Sequence, residues 1–122
     1  MTPQVLVADD EADLRALIAE NLLDRKIGVV EAGDGVEALE VLRDNSSIQL
    51  LLSDIRMPRM DGHQLVDKAV RLYPDLKVVM MTGYASELPT GNALEAREIR
   101  TLRKPLDIDK LSDLVGEMLA RP

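Results

Sequence analysis

The chain has 122 residues, a formal net charge of −7, 46% hydrophobic and 30% charged residues, 2% aromatics and no cysteine. That length suits one domain with an aliphatic core. The acidity argues against nucleic-acid binding, where a basic surface supplies most of the affinity. The missing cysteines exclude disulfides, thiolate metal sites and a cysteine nucleophile.

The N-terminal stretch MTPQVLVADDEAD lacks the basic segment and long apolar run of a signal peptide. No apolar run approaches the ~20 residues a membrane helix needs. The expectation is a cytoplasmic protein with neither nucleic-acid nor membrane partners.

Five short apolar runs alternate with helical patterns: Val5–Ala8, Val29–Ala32, Ile48–Leu52, Val78–Met81 and Ile99–Leu102. Their lengths predict buried strands. After the first run, Leu14, Leu17, Ile18 and Leu22 recur at helical spacing on one face. A second helix is expected from Asp34, with Glu37 three residues on as a capping box and Val36, Leu39 and Leu42 buried. The third presents Leu65, Val66, Ala69 and Val70 and should stop near Tyr73 and Pro74. The segment Ser86–Glu98 contains Pro89 and Gly91 and few apolar residues. A helix there should be short, shifted or mobile. The last helix carries Ile108, Leu111, Leu114, Val115, Met118 and Leu119, with Asp107 placed to cap it. Strands and helices in this alternation predict an α/β fold, a parallel sheet with helices on both faces. The whole of residues 1–122 reads as one domain with no output domain.

Polar residues interrupt the pattern in one kind of place. Asp9 and Asp10 follow the first run, Asp54 the third, Thr82 the fourth and Lys104 the fifth. All sit at the carboxyl ends of predicted parallel strands, the edge where open α/β sheets bind ligands. Taken singly, each has a plainer reading. An acidic pair after a strand can cap a helix, Asp54 can be a turn residue, Thr82 beside Gly83 can begin a loop, and Lys104 can be solvated. Asp61 beside Gly62 reads as a turn, His63 as surface, and Met57 and Met60 as packing. Jointly they describe chemistry. Three carboxylates in one crevice repel unless a hard cation joins them, and oxygen-only ligation suits Mg²⁺ or, in its place, Mn²⁺. A carboxylate can accept a phosphoryl group, with lysine and hydroxyl donors on the phosphoryl oxygens.

At these residues the sequence resembles the receiver domains of response regulators. The matching stretches are VLVADDE at the start, SDIRMPRMDG around Asp54, TGYA at Thr82 and RKP at Lys104. The resemblance implies a flavodoxin-like doubly wound five-stranded sheet in the order 2-1-3-4-5. It implies that Asp54 accepts a phosphoryl group from a phosphohistidine on a sensor kinase or phosphotransfer protein. Asp10 and Asp54 would ligate the metal, Asp9 would act largely through water, and the backbone carbonyl of Arg56 would complete the set. Thr82 and Lys104 would hold the phosphoryl oxygens, and the Lys104–Pro105 bond would be cis. A downstream protein would read the phosphorylated surface, and the chain would be a monomer or weak dimer.

Two positions depart from the family. Thr101 stands three residues before the lysine, where most receivers carry a Tyr or Phe that turns inward, so switching falls to other groups such as Thr82 with Tyr84. Leu106 replaces the Phe that often follows the lysine–proline pair. The TGYA segment and the non-aromatic switch position resemble free-standing cell-cycle adaptors of the CpdR type, or receivers attached to hybrid kinases. A phosphorelay shuttle is the alternative to a switch. A phosphatase is disfavoured because Arg56 stands where a second acid is needed. A receiver that only binds partners is disfavoured because Asp9, Asp10, Asp54, Thr82 and Lys104 are all present.

Overall fold

Alternation along the strands sorts the aliphatic side chains into two cores. The computed structural model describes residues 2–83 and 99–121. Its strands are β1 (Val5–Ala8), β2 (Val29–Ala32), β3 (Leu50–Asp54), β4 (Lys77–Thr82) and β5 (Ile99–Arg103). The described helices are α1 (Ala12–Asp24), α2 (Gly35–Asp44), α3 (Gly62–Leu72) and α4 (Ile108–Ala120). Successive side chains of a strand point to opposite faces. Leu6, Ala8, Leu51, Val78 and Met80 therefore pack with α2 and α3 residues such as Leu42, Leu65 and Ala69. Val5, Val7, Leu50, Leu52, Val79 and Met81 pack on the other face with Ile18 and Leu22 of α1 and Leu111, Val115 and Met118 of α4. Each fully buried Leu, Ile or Val contributes roughly 1.5–3 kcal/mol.

The sheet is parallel and ordered β2-β1-β3-β4-β5, the doubly wound flavodoxin-like arrangement expected. Its edges differ from the sequence reading, which treated every run as buried. Glu31 of β2 and Arg100, Thr101 and Arg103 of β5 are exposed, because an outer strand has a neighbour on one side only.

Other boundaries moved for identifiable reasons. Ile48 lies outside β3: its N–H donates to the carbonyl of Asn45 in the turn after α2. On α1 the buried residues are Ile18, Ala19 and Leu22, while Leu17 is half exposed. On α2 the buried side chains are Ala38 and Leu42, with Val36 and Leu39 partly covered. Asp34 does cap α2, accepting the Glu37 N–H at 2.8 Å, but the reciprocal half of a capping box is absent among the described residues. The complete box forms at α3 instead. There Asp61 accepts from the Gln64 N–H at 2.9 Å and Gln64 accepts from the Asp61 N–H at 3.1 Å. Asp107 caps α4 through the Lys110 N–H. The expected helix within Ser86–Glu98, and Tyr84, lie outside the described residues. No helix of the described residues is long and apolar enough to cross a membrane.

Candidate functional site

Strand register brings the polar residues to one edge. Ala8 pairs with Ser53, Asp54 with Met81, and Thr82 with Arg103. Main-chain bonds continue the ladders one residue further: Asp9 N–H to Ala32 O at 3.1 Å, Ile55 N–H to Met81 O at 3.2 Å and Lys104 N–H to Thr82 O at 2.8 Å. Asp9, Asp54, Thr82 and Lys104 are thus held by backbone at adjacent strand ends. The Lys104–Pro105 peptide bond is cis.

Asp9 is fully buried, and neither it nor Asp10 serves as the helix cap. Glu11 holds the N-cap position of α1 without a side-chain bond, and its own N–H donates to Asp9 Oδ1 at 2.8 Å. Asp9 Oδ2 is buried and makes no hydrogen bond among the described residues; it lies 3.5 Å from Lys104 Nζ. The Asp9 carbonyl accepts from Arg15 Nη1 at 2.7 Å, and Arg15 Nε donates to Glu31 at 3.0 Å. Asp54 is also buried; its Oδ1 accepts the Ile55 N–H at 2.8 Å and its Oδ2 accepts from Lys104 Nζ at 3.2 Å. Lys104 reaches Glu11 Oε1 as well, at 3.4 Å.

The electrostatics follow from burial and crowding. Burial raises the Asp9 carboxyl, the nearby Asp54 charge adds to the rise, and the Glu11 N–H and Lys104 oppose it. Burial likewise raises Asp54, and Lys104 offsets only part of that. Desolvation alone would depress Lys104, but the Asp54 and Asp9 carboxylates outweigh it and raise the ammonium. One ammonium therefore serves three carboxylates, and the site has capacity for another cation.

The donor set fits a hard dication. Carboxylate oxygens of Asp9, Glu11 and Asp54 lie within 4.8 Å of one another, and the unbonded Asp9 Oδ2 is one of the buried oxygens that a cation would satisfy. Glu11 was missed in the sequence, although it is the third acid of the run that begins at Asp9. Its longer side chain reaches back from the helix start. Asp10 is exposed and outside that triad. It lines a neighbouring cavity of about 590 Å³ with Ile55, Arg56, Met57, Pro58, Asp61 and His63, and its charge contributes to raising Asp54. Arg56 is exposed at that cavity, Thr82 is buried at the end of β4, and Thr101 is exposed on β5.

The comparisons identify the class of domain to which this five-stranded parallel sheet, with buried acids and a lysine at its carboxyl edge, belongs. Residues 5–116 match the response regulator receiver domain family, and the chain belongs to it. It is 32% identical over 116 residues to the response regulator receiver protein CpdR of Brucella abortus (strain 2308), covering 95% of this chain and 96% of that protein. The sensor kinase CckA of the same strain is 33% identical over 118 residues, covering 96% of this chain but only 12% of the kinase. Among solved structures, a CheY-like receiver domain protein from Methanospirillum hungatei JF-1 superposes with a TM-score of 0.84 at 29% identity, covering 98% of this chain and 94% of that one. Receivers are signalling switches of two-component systems rather than classical enzymes, and they bind Mg²⁺ at an acidic pocket.

Proposed function

We propose that Asp54 accepts a phosphoryl group from phosphohistidine and that the product alters contacts with a protein partner. The observation that carries this reading is the placement of Lys104 Nζ 3.2 Å from Asp54 Oδ2 and 3.5 Å from Asp9 Oδ2 at one strand edge. In the transfer, a carboxylate oxygen of Asp54 forms the new P–O bond as the donor's P–N bond breaks. The electron pair stays with the leaving imidazole, which takes a proton. Lys104 exchanges a carboxylate contact for a phosphoryl oxygen and stabilises the charge there. Thr82 supplies a hydroxyl from the next strand end. Asp10, Asp54 and the Arg56 carbonyl would hold Mg²⁺, or Mn²⁺, with Asp9 acting through water and Glu11 as a further donor. When bound, the ion supplies neutralising charge between the carboxylates and the phosphoryl oxygens.

The donors are a sensor histidine kinase or a histidine phosphotransfer protein, and the setting is the cytoplasm. A shuttle that returns phosphate to a histidine is the second reading. It is favoured by Thr101, exposed on β5 where an aromatic switch residue would otherwise sit. Rapid return of phosphate to a phosphotransfer protein would identify the shuttle; a partner whose affinity depends on phosphorylation would identify the switch.

The primary test is intact mass after incubation with acetyl phosphate and Mg²⁺. The wild type should gain one phosphoryl group and Asp54→Asn none. Equal labelling of Asp54→Asn would place the acceptor elsewhere.

A further inference from the structure

Between β3 and α3 the chain makes a sharp excursion through Met57, Pro58, Arg59 and Met60. The Met60 N–H donates to the Pro58 carbonyl at 2.7 Å, closing a three-residue turn around Arg59. Arg59 sits at φ 65°, a left-handed conformation that side chains other than glycine seldom adopt. A turn of this kind with a positive central φ is rare and strained. Something must hold it.

The holding group is the N-cap of α2. Asp34 receives Arg59 in a forked arrangement, with Nε 3.1 Å from Oδ2 and Nη2 3.0 and 2.8 Å from Oδ1 and Oδ2. Asp34 is itself anchored, because it caps α2 through the Glu37 N–H. Its carboxyl lies below its ordinary range, chiefly from that backbone bond and also from Arg59. The contact is reinforced next door: a Cβ on Gly35 would fall 2.6 Å from the Met60 carbonyl, so α2 begins in direct contact with the turn. At its far end the loop closes on the phosphoacceptor strand. The Gly62 N–H donates to the Ile55 carbonyl at 2.7 Å.

We propose that the Asp34–Arg59 clamp is a positioning device for the acceptor loop. It holds the strained turn so that the Arg56 carbonyl and Asp54 keep their places at the cation site. This rests on the proposed metal site, toward which Arg59 and Asp34 act only through the loop. Arginine suits the role because its planar fork meets a carboxylate at two points.

Four proteins test it: wild type, Asp34→Asn, Arg59→Ala and Arg59→Gly. Asparagine caps a helix about as well as aspartate, so Asp34→Asn weakens the clamp and leaves α2 capped. Alanine removes the clamp and keeps the backbone strain; glycine removes both. Mg²⁺ affinity is measured by titration, and amide exchange at Met60 and Gly62 is followed without metal. Asp34→Asn and Arg59→Ala should each lose affinity by roughly three- to tenfold, below the 10–100-fold typical of groups that touch metal ligands directly. Arg59→Gly should lose less than Arg59→Ala, and the double variant Asp34→Asn/Arg59→Ala should lose no more than either single one. Both amides should exchange faster in Asp34→Asn. A clamp that served only global stability would lower the melting temperature and leave the Mg²⁺ affinity at the wild-type value, and that result overturns the proposal. If exchange quickens as expected but the wild type itself binds no Mg²⁺, the clamp exists and the metal-site reading is what fails, taking the positioning role with it.

Discussion

Replacing Gly62 by alanine inserts one methyl group where the fold leaves no space. An ideal Cβ there would lie 2.3 Å from the Asp54 carbonyl oxygen and 2.7 Å from the Ile55 Cα, main-chain atoms at the end of β3 and just after it. Relief to ordinary contact requires about 1 Å of separation between α3 and β3. Such overpacking costs typically ~1–3 kcal/mol, and stretching the Gly62–Ile55 backbone bond adds about 1 kcal/mol. Alanine's better helix propensity returns at most ~1 kcal/mol, and less at the first helical position. The net loss is therefore about 1–4 kcal/mol. At ~2.1 cal/mol/K per residue over 122 residues, each kcal/mol is worth about 4 °C in Tm, so the expected fall is roughly 4–16 °C. Gly116 is the internal control. It lies within α4 with nothing inside 4 Å of a built Cβ, so Gly116→Ala should raise Tm by about 2–4 °C through propensity alone. Calorimetry without metal reads both. Because the displaced atoms carry Asp54, Gly62→Ala should also label more slowly with acetyl phosphate. A Gly62→Ala protein melting at or above the wild type would refute the close-approach argument.

Mg²⁺ should raise Tm, because a ligand of the native state stabilises it by mass action. Asp10→Ala should remove most of that shift by titration and calorimetry; an unchanged Mg²⁺ affinity would exclude Asp10 from the site. Glu11→Gln should also reduce the shift, since its carboxylate lies within 4.8 Å of those of Asp9 and Asp54. The Asp34 carboxyl is lowered from 3.8 by its Glu37 backbone bond and by Arg59. Its folded pKa lies below its unfolded one, so its contribution is complete above about 3.8 and is lost as pH falls through the folded value. The stability difference between wild type and Asp34→Asn should thus be constant at pH 5–7 and vanish in acid; a difference that grows in acid would reverse the sign. Self-dephosphorylation should be slow, because neither Arg56 nor Tyr84 can orient an attacking water with a carboxylate or amide. Arg56→Asn/Tyr84→Glu should decay faster in Mg²⁺, and identical decay would make both residues bystanders.

Much of this protein was legible in one dimension because its signals are local. Alternation of short apolar runs with helical spacing specifies strand and helix directly, and a parallel sheet needs crossovers of that length. Asp9, Asp54, Thr82 and Lys104 could be assigned to one edge for the same reason: each follows or ends a strand, and parallel strands all finish on the same side. What pattern alone could not supply was contact. Whether Leu17 is buried depends on how far α1 overlaps its neighbours, and helical spacing does not encode that. Glu11 joins Asp9 and Asp54 because a turn of the chain brings its carboxylate back over the strand end, a matter of reach rather than of motif. The capping box is complete at Asp61 and Gln64, whereas at Asp34 only the half that accepts the Glu37 N–H forms, and the same carboxylate also receives Arg59, 25 residues away. Local hydrogen-bonding preferences propose partners within a turn or two. Only the folded chain, by bringing distant charges into range, adds partners such as Arg59 on Asp34.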